Sequence, residues 1–389
     1  MSWKTAFGRF READPQRLHF AAHSHHYWPD VAFAAQQRCW EDAARLADRK
    51  WETVFGEVVP RAQAGIAGIL GLPNPASLAF GPNTHGFLLR ILSCLPQDRP
   101  VRVLTSDGEF HSFERQLRRL EETGRAEVTR VPTEPFHDFA PRFRQAAEQG
   151  RRDLIYLSQV FYNSGYAVPE LESIVSAVPE PETLVVIDGY HGFLARPTDL
   201  SALADRAFYM GGGYKYAMAG EGVCFLHCPP GQAARPPDTG WFAAFGALTA
   251  KSEGQVPYGA DGSRFLGATF DPVGIYRLNA VLDWLAAEGI TPANIHAHAT
   301  TLQEAFVDGL QALAIPGLAQ ETLVVPIEEP NRGNFLTFRT PEAGALYDAL
   351  LARNIITDHR GDRLRFGFGI YQDESDVAAL IERLKGLRG

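Results

Sequence analysis

Lys215 and Asp188 are the residues whose types and positions best suit catalysis. Asp188 ends the apolar run 183–187, and Lys215 follows a second apolar run, 206–209, after the glycines 211–213. If these runs form neighbouring strands, an amine and a carboxylate meet at the strand ends. Pyridoxal 5′-phosphate (PLP) needs such a pair, because an amine forms the Schiff base and a carboxylate keeps the pyridine nitrogen protonated. A solvated lysine or a capping aspartate would explain either residue alone, whereas the pair predicts a PLP site.

Three shorter segments supply further candidates for that site. Asn83 and Thr84 stand between an apolar run and a helical stretch, where free N–H groups and a hydroxyl suit a phosphate. Phe110 follows another apolar run and is expected to stack on a flat cofactor ring. His191 lies three residues after Asp188, so we expect its imidazole to hydrogen-bond the cofactor or the substrate. An ordinary helix cap, a core phenylalanine and a structural histidine are the competing interpretations.

Arg365 is a candidate for substrate binding because it lies inside the apolar run 364–368. A buried guanidinium is costly unless it meets an anion. A bidentate clamp on a substrate carboxylate would satisfy it. An internal ion pair with Asp358 or Asp362 is the competing account.

The pattern of apolar runs predicts an α/β fold that positions these residues. Seven runs alternate with helical stretches, which predicts a mostly parallel seven-stranded sheet covered by helices on both faces. The predicted strands are 77–80, 101–105, 126–131, 154–159, 184–188, 207–211 and 222–227, and the helices between them are 84–95, 113–123, 139–149 and 170–177. Long loops are predicted for 229–271.

Further predicted helices and apolar runs lie before and after these seven predicted strands. They predict a smaller α+β domain at the C-terminus. The helices are 31–55, 60–70, 272–288, 292–313, 341–353 and 375–387, and the later apolar runs are 322–325, 334–339 and 363–368. We therefore expect an N-terminal segment and helix that pack on the small domain, 1–56, a large domain, 57–271, and a small domain, 272–389.

Composition narrows the function classes. A chain of 389 residues predicts two domains, and a net charge of −9 argues against nucleic acid as a partner. No apolar stretch approaches the roughly 20 residues that span a bilayer, and the N-terminus has no signal-like apolar core. We expect a cytoplasmic protein without a membrane partner. Of its four cysteines, Cys224 and Cys228 are expected to be buried, reduced thiols rather than a metal-binding pair.

These motifs resemble those of the fold-type I PLP enzymes of the class V aminotransferase superfamily, and within it the kynureninases. The likeness runs motif by motif over about residues 18–385. Tyr214-Lys215-Tyr216 looks like the family's lysine motif, 188–191 matches its D-x-x-H, and 158–165 is similar to T-H-V-N-Y-R-T-G. The resemblance implies that Lys215 binds PLP covalently and that Tyr214 contacts the phosphate. The arginine of the C-terminal L-R-F, here Arg365, would hold the substrate α-carboxylate.

The resemblance also implies a homodimer, in which Trp241 and Thr269 contribute to the site across the interface. The sequence departs from the family where the substrate side chain would lie. Ala22-His23-Ser24-His25-His26 replaces the family's G-N-S-L-G, which places His23 and Ser24 as candidates for substrate binding.

Kynureninases hydrolyse a Cβ–Cγ bond and release alanine, and the resemblance implies this reaction for an amino-acid substrate. Lys215 would move the α-proton, assisted by Tyr214 or a histidine. A class V aminotransferase or β-lyase would use the same residues. An alternative from another class is a metal enzyme built on the histidines 23–26; we expect no metal site. A PLP-fold protein without activity would not require Lys215, Asp188 and Arg365 together.

Overall fold

The computed structural model describes residues 2–247 and 254–387 of the chain. Its strands are β1 Leu18–His19, β2 Leu78–Gly81, β3 Val101–Ser106, β4 Ala126–Val131, β5 Leu154–Ser158, β6 Leu184–Asp188, β7 Ala207–Gly212, β8 Cys224–His227, β9 Phe335–Arg339, β10 Ile355–Ile356, β11 Asp358–Arg360 and β12 Arg363–Gly367. Its α-helices are α1 Gly8–Glu12, α2 Asp30–Leu46, α3 Lys50–Thr53, α4 Val59–Leu70, α5 Thr84–Ser93, α6 His111–Glu122, α7 Phe139–Glu148, α8 Leu171–Ser176, α9 Val273–Ala287, α10 Pro292–Gln311, α11 Ala343–Leu351 and α12 Glu374–Leu384.

A seven-stranded sheet forms the centre of the large domain, in the order β2-β8-β7-β6-β5-β3-β4. The five strands from β7 to β4 pair in parallel, while β8 is antiparallel to both of its neighbours. Strands β5, β6 and β7 are buried along their whole length, as their unbroken apolar runs require. The predicted mostly parallel sheet is confirmed.

The strand register brings the candidate residues to one edge of this sheet. Ser158 on β5 is the partner of Asp188 on β6, and Asp188 is the partner of Met210 on β7. Lys215 follows the end of β7 by three residues. Because parallel strands end at the same edge, the carboxylate and the amine meet there. In open α/β sheets, ligands bind in a crevice at this edge.

A second core lies between α10, α12 and a three-stranded antiparallel sheet of order β11-β12-β9. Phe306 from α10 packs there against Phe338 and Phe366 of the sheet. Strand β1 pairs in parallel with β10, so the N-terminal segment also lies on this part of the molecule. This arrangement carries Arg365, in the middle of β12, towards the edge of the large sheet.

Two predicted elements were wrong. The helix expected over 31–55 ends at Leu46, because Ala47 has a φ of 50° that an α-helix does not allow. A 3-10 turn, α3 and a π-helical segment, Val54–Val58, follow and lead into α4. The apolar run 322–325 forms no strand, and Leu323 makes a single bridge to β9 after a 3-10 turn.

The hydrophobic clusters place α9, which follows the expected boundary at residue 271, with the large sheet. Helix α2 packs mainly on α9, and both belong to the hydrophobic cluster of the large sheet. Leu18 and Phe20 belong instead to the small-domain cluster. The boundaries at residues 56 and 271 stay a prediction.

Within the described ranges, no helix is long and apolar enough to cross a bilayer.

Candidate active site

A cavity of about 260 Å³ lies at the carboxyl ends of β5, β6 and β7. Seven of the predicted site residues line it: Asn83, Thr84, Phe110, Asp188, His191, Tyr214 and Lys215. Sequence reasoning did not single out Tyr162, Tyr190 or Cys224, which also line it. Tyr190 and Tyr162 lie inside the motifs 188–191 and 158–165, so their positions in these motifs could have indicated that they belong to the site.

Lys215 is buried in the wall of this cavity. Its Nζ is 2.9 Å from Nε2 of His191 and lies 4.7 Å and 5.1 Å from the ring centres of Tyr190 and Phe110. Burial lowers the pKa of Lys215 to about 7, although Asp188 opposes the shift. No carboxylate within the described ranges pairs with this amine directly, so a large fraction of it is neutral and nucleophilic near pH 7.

Asp188 is held rigidly at the end of β6. Its Oδ1 accepts the backbone N–H of Tyr190 at 3.0 Å, and its Oδ2 accepts the hydroxyl of Tyr156 at 2.9 Å. Burial raises the pKa of Asp188, and the N–H of Tyr190 and the charge of Lys215 counteract it. A buried carboxylate with this geometry can hold a cationic ring N–H.

The turn before α5 has the chemistry of an anion site. Asn83 caps the helix, since its Oδ1 accepts the N–H of Gly86 at 2.9 Å. This turn and Tyr214 both line the cavity. Burial raises the pKa of Tyr214 to about 12, so its hydroxyl is a donor at neutral pH. The helix N-terminus and the hydroxyls of Thr84 and Tyr214 can therefore hold a phosphate.

His191, which contacts Lys215, and His23, which does not line the cavity, are both neutral histidines. Burial and the positive charges of Lys215 and Arg365 keep the pKa of His191 well below its usual value. The same causes depress the pKa of His23, whose ring packs on Phe335 with centroids 4.6 Å apart. His23 is fully buried, and neither of its ring nitrogens has a hydrogen-bond partner among the described residues. Both imidazoles can accept or donate a proton.

Glu109 is a buried acid that sequence reasoning missed. Its carboxyl accepts hydrogen bonds from the hydroxyls of Ser106 and Ser158, each at 2.5 Å, and from the N–H of Ser158 at 3.0 Å. Burial raises the pKa of Glu109 to about 8, and nearby Asp188 adds to the shift. A neutral Glu109 adds no second negative charge beside Asp188. The glutamate next to Phe110 in a buried turn was the available signal.

We predict that Glu109→Gln removes a pH-dependent loss of stability. The folded state binds this proton up to about pH 8 and the unfolded state only to its ordinary pKa of 4.5. The contribution of this proton to the free energy of unfolding is therefore fully present below pH 4.5, and it falls as the pH rises towards 8. Between pH 5 and pH 8 the wild type should lose on the order of 3 kcal/mol more than the variant. Thermal unfolding of the cofactor-free protein measures this; an exposed control, Glu122→Gln, should follow the wild type, and parallel curves for Glu109→Gln would contradict the prediction.

Arg365 lies next to the cavity rather than in its wall. Its guanidinium pairs with Asp358 at 2.8 Å and donates to the carbonyl oxygen of Tyr162 at 2.5 Å. The predicted alternative of an internal ion pair is thus realised with Asp358. The Nε of Arg365 is buried and has no partner among the described residues, which leaves one N–H for an incoming anion. Its charge reaches the site, because it lowers the pKa of both Lys215 and His191.

Three other predicted residues lie away from the cavity within this chain. The indole N–H of Trp241 donates to the hydroxyl of Thr269 at 3.2 Å, and Trp241 is 45% exposed. Thr269 lines a separate groove beside Trp40. Ser24 lines a different cavity, next to His25. Their roles in a site shared between two copies stay predictions.

The histidine run does not converge on a point. The rings of His23, His25 and His26 contact Phe335, Tyr214 and Tyr371 respectively. Across residues 2–247 and 254–387 there is no group of three or more His, Cys, Asp or Glu side chains arranged to hold a metal ion.

Known proteins resemble this chain in sequence over different spans. The family model of the kynureninase C-terminal domain matches residues 295–384. Isopenicillin N epimerase from Streptomyces clavuligerus is 28% identical, over all of this chain and 98% of that protein. Kynureninase from Pseudomonas fluorescens is 28% identical over 55% of this chain, and that from Burkholderia mallei (strain SAVP1) is 30% identical over 59%. The aligned chain spans about half the length of these two kynureninases, 51% and 55%.

Solved structures share the fold over nearly the whole chain. The cystine C–S lyase C-DES, in complex with cysteine persulfide, has a TM-score of 0.79 at 18% identity and covers 96% of this chain and 98% of its own. A cysteine desulfurase from Thermococcus onnurineus NA1 has a TM-score of 0.78 at 16% identity, covering 100% and 99%. The architecture is that of fold type I. In architecture, and in part in sequence, the chain is thus similar to PLP-dependent enzymes of class V.

Proposed function

We propose that this protein binds PLP covalently through Lys215 and acts on an amino acid. The observation that carries the proposal is the buried amine itself. Lys215 stands in a cavity without a direct carboxylate partner among the described residues, and burial brings its pKa to about 7. Such an amine is costly for the fold unless the site uses it. A carbonyl cofactor is the partner that this chemistry fits.

The remaining wall of the cavity fits the other parts of PLP. Asp188 would hold the ring nitrogen, Phe110 would cover one face of the ring, and the turn at Asn83 and Thr84 would bind the phosphate. When bound, PLP supplies an electron sink for the bonds of the substrate α-carbon. The residues therefore fit the cofactor from its aldehyde to its phosphate.

The protein's own groups would move the protons and orient the substrate. Once displaced, Lys215 is a base with a pKa suited to neutral pH, and it would take the proton of the α-carbon. Neutral His191, 2.9 Å from the amine, can pass a proton to or from it. Arg365 would bind the α-carboxylate through its free Nε, with Asp358 fixing the guanidinium plane.

For the reaction that follows, we propose kynureninase-like hydrolysis of a Cβ–Cγ bond. The match of residues 295–384 to the kynureninase C-terminal domain and the Tyr214-Lys215 motif support it. His23 would supply the second proton-transfer group, since its buried imidazole has no partner among the described residues. Water adds to the γ-carbonyl, the Cβ–Cγ bond breaks, and alanine and a carboxylic acid are released.

Inversion at the α-carbon is the second candidate, and the relative that aligns over its whole length favours it. It would need the same Lys215 together with a second proton donor. Transamination and β-elimination also start from the same proton removal. Persulfide chemistry is disfavoured, because burial raises the pKa of the Cys224 thiol in the cavity to about 12 and no cysteine follows Cys228 in the sequence.

We further propose a cytoplasmic homodimer. Exposed Trp241 and Leu89 would lie at the contact, because large exposed apolar side chains suit an interface. Leu89 belongs to α5, whose first turn lines the cavity, so a second copy there would stand next to the proposed phosphate site.

Product analysis of the PLP-loaded protein tests the reaction. With L-kynurenine as a γ-keto substrate, hydrolysis should give alanine and anthranilate in equal amounts. With a keto acid added, a new amino acid would instead indicate transamination, and pyruvate with ammonia would indicate β-elimination. In ²H₂O, an amino acid returned with α-deuterium and inverted configuration would indicate epimerisation. A protein that gains no visible absorbance with PLP would overturn the whole proposal.

A further inference from the structure

A second cavity of about 350 Å³ lies between the N-terminal segment and strands β10 and β11. We call it the distal cavity. Ser24 and His25 line it from the N-terminal segment, and Thr357, His359 and Arg360 line it from the small domain. Its wall is mostly polar, unlike an ordinary packing gap between two cores.

His25 links the wall of the distal cavity to the wall of the candidate active site. Its ring stacks on Tyr214 with centroids 5.1 Å apart, and its Nε2 is 3.6 Å from a carboxylate oxygen of Glu221. Tyr214 and Glu221 both line the active-site cavity. Asp358, also in the wall of the distal cavity, pairs with Arg365. A substrate whose carboxylate meets Arg365 therefore lies beside the distal cavity.

The active-site cavity has little room for a long substrate side chain. Its volume of about 260 Å³ lies below the roughly 300–1,000 Å³ of typical ligand pockets, and PLP must occupy part of it. The side chain therefore needs a neighbouring space. The segment 22–26, which departs from the kynureninase pattern, includes Ser24 and His25 of the distal cavity.

The wall of the distal cavity carries polar atoms that lack a partner. Thr357 is 95% buried, and its Oγ1 makes no hydrogen bond to any described residue. Nδ1 of His359 is also a buried atom and makes no hydrogen bond to any described residue. Buried polar atoms without a partner cost stability, so each is expected to meet a bound ligand or water.

The charges around the cavity favour an anion. Asp358 is its one carboxylate among the described lining residues, and it lies between two guanidinium groups, Arg360 at 2.9 Å and Arg365 at 2.8 Å. These three side chains together carry one net positive charge. The imidazoles of His25 and His359 can add N–H donors.

We propose that the distal cavity binds a carboxylate at the far end of the substrate side chain. This inference rests on the proposed function and adds a substrate class to it: amino acids whose side chains end in an acid. Arg360 would pair with that carboxylate, and Thr357 would donate its hydroxyl to it. For the hydrolytic reaction, the acyl group released would then carry a second carboxylate.

Binding to the PLP-loaded protein tests the distal cavity. The visible absorbance is titrated with L-glutamate and L-2-aminoadipate, and with their neutral counterparts L-glutamine and L-norleucine. At least one acid should bind about tenfold more tightly than its neutral counterpart. Arg360→Gln should reduce this preference to less than about threefold, because the half-exposed guanidinium is its source.

Two further variants separate recognition from folding. Thr357→Val keeps the shape of the buried side chain, and it should weaken binding of the preferred acid severalfold while leaving the neutral compounds unchanged. Arg339→Gln, an exposed arginine of the same small sheet, should change nothing. Equal binding of acids and neutral compounds, or a preference that survives both Arg360→Gln and Thr357→Val, would refute the distal site alone. If PLP produces no visible band, the proposed function fails and this inference with it.

Discussion

Lys215→Ala should abolish the visible absorbance of lysine-bound PLP and lower turnover by at least ~10²–10⁴-fold, the usual contribution of a general base. The reason lies in the environment of the amine. With a pKa of about 7, about half of it is neutral at pH 7, whereas an ordinary lysine of pKa 10.5 is neutral in only about one molecule in 3,000. The sequence has five lysines, and Lys215 is the buried one among the described residues.

The control for this prediction is Lys385→Ala, which removes an exposed lysine of the small domain. It should keep both the absorbance and the turnover of the wild type. Borohydride reduction followed by peptide mapping gives an independent measurement: the reduced PLP should be attached to the peptide that contains Lys215. An intact visible band in Lys215→Ala, or label on Lys4 or Lys50, would show that the amine is elsewhere.

The residues at the sheet edge could be predicted because the sequence patterns that place them lie within short segments of the chain. The unbroken apolar runs of β5, β6 and β7 are long enough to be strands and are interrupted by helical stretches, which leaves a parallel sheet as the natural arrangement. Once the strands are parallel, Asp188 and Lys215 must lie at the same edge. Asn83 could be predicted as a helix cap for the same local reason.

The features that escaped prediction depend on contacts between distant parts of the chain. The break of the first long helix at Ala47 has no proline or glycine to announce it. The burial of Glu109 arises from Ser106 and Ser158, which come from two different strands. Arg365 forms its ion pair with Asp358 rather than with Asp362, and sequence spacing does not distinguish the two. The position of Thr269 in a separate groove does not follow from spacing either. A sequence pattern specifies which residues are polar, but tertiary packing decides which of them meet.

Two buried acids, Glu109 and Asp188, lie close together at this corner of the candidate site. Glu109 accepts three hydrogen bonds from uncharged groups, and its pKa of about 8 keeps it mainly neutral at pH 7. Burial also raises the pKa of neighbouring Asp188, whereas the N–H of Tyr190 and the positive charge of Lys215 favour its ionised form. A protonated pyridine nitrogen would therefore meet one negative charge rather than two.

Asp188→Asn should leave PLP attached to Lys215 but lower turnover by ~10²–10³-fold, the range for loss of one preorganised charge in a water-excluded site. The amide has the same shape, and its oxygen can still accept the N–H of Tyr190. It carries no charge, so it cannot hold a proton on the pyridine nitrogen, and the ring becomes a weaker electron sink. Turnover and the rate of α-proton exchange in ²H₂O should fall together, since both depend on the same step.

Tyr156→Phe is the matched test of how Asp188 is positioned. It removes the hydroxyl that donates to Oδ2 of Asp188 but keeps the ring stacked on Phe113, with centroids 3.7 Å apart. We expect a loss of about tenfold, because one neutral hydrogen bond to a charged group is worth about 1.5 kcal/mol. Asp205→Asn, on the surface before β7, should have no effect. If Asp188→Asn retained turnover and proton exchange within about threefold of the wild type, Asp188 would not be the partner of the ring nitrogen, and the cofactor would have to lie in the cavity in another orientation.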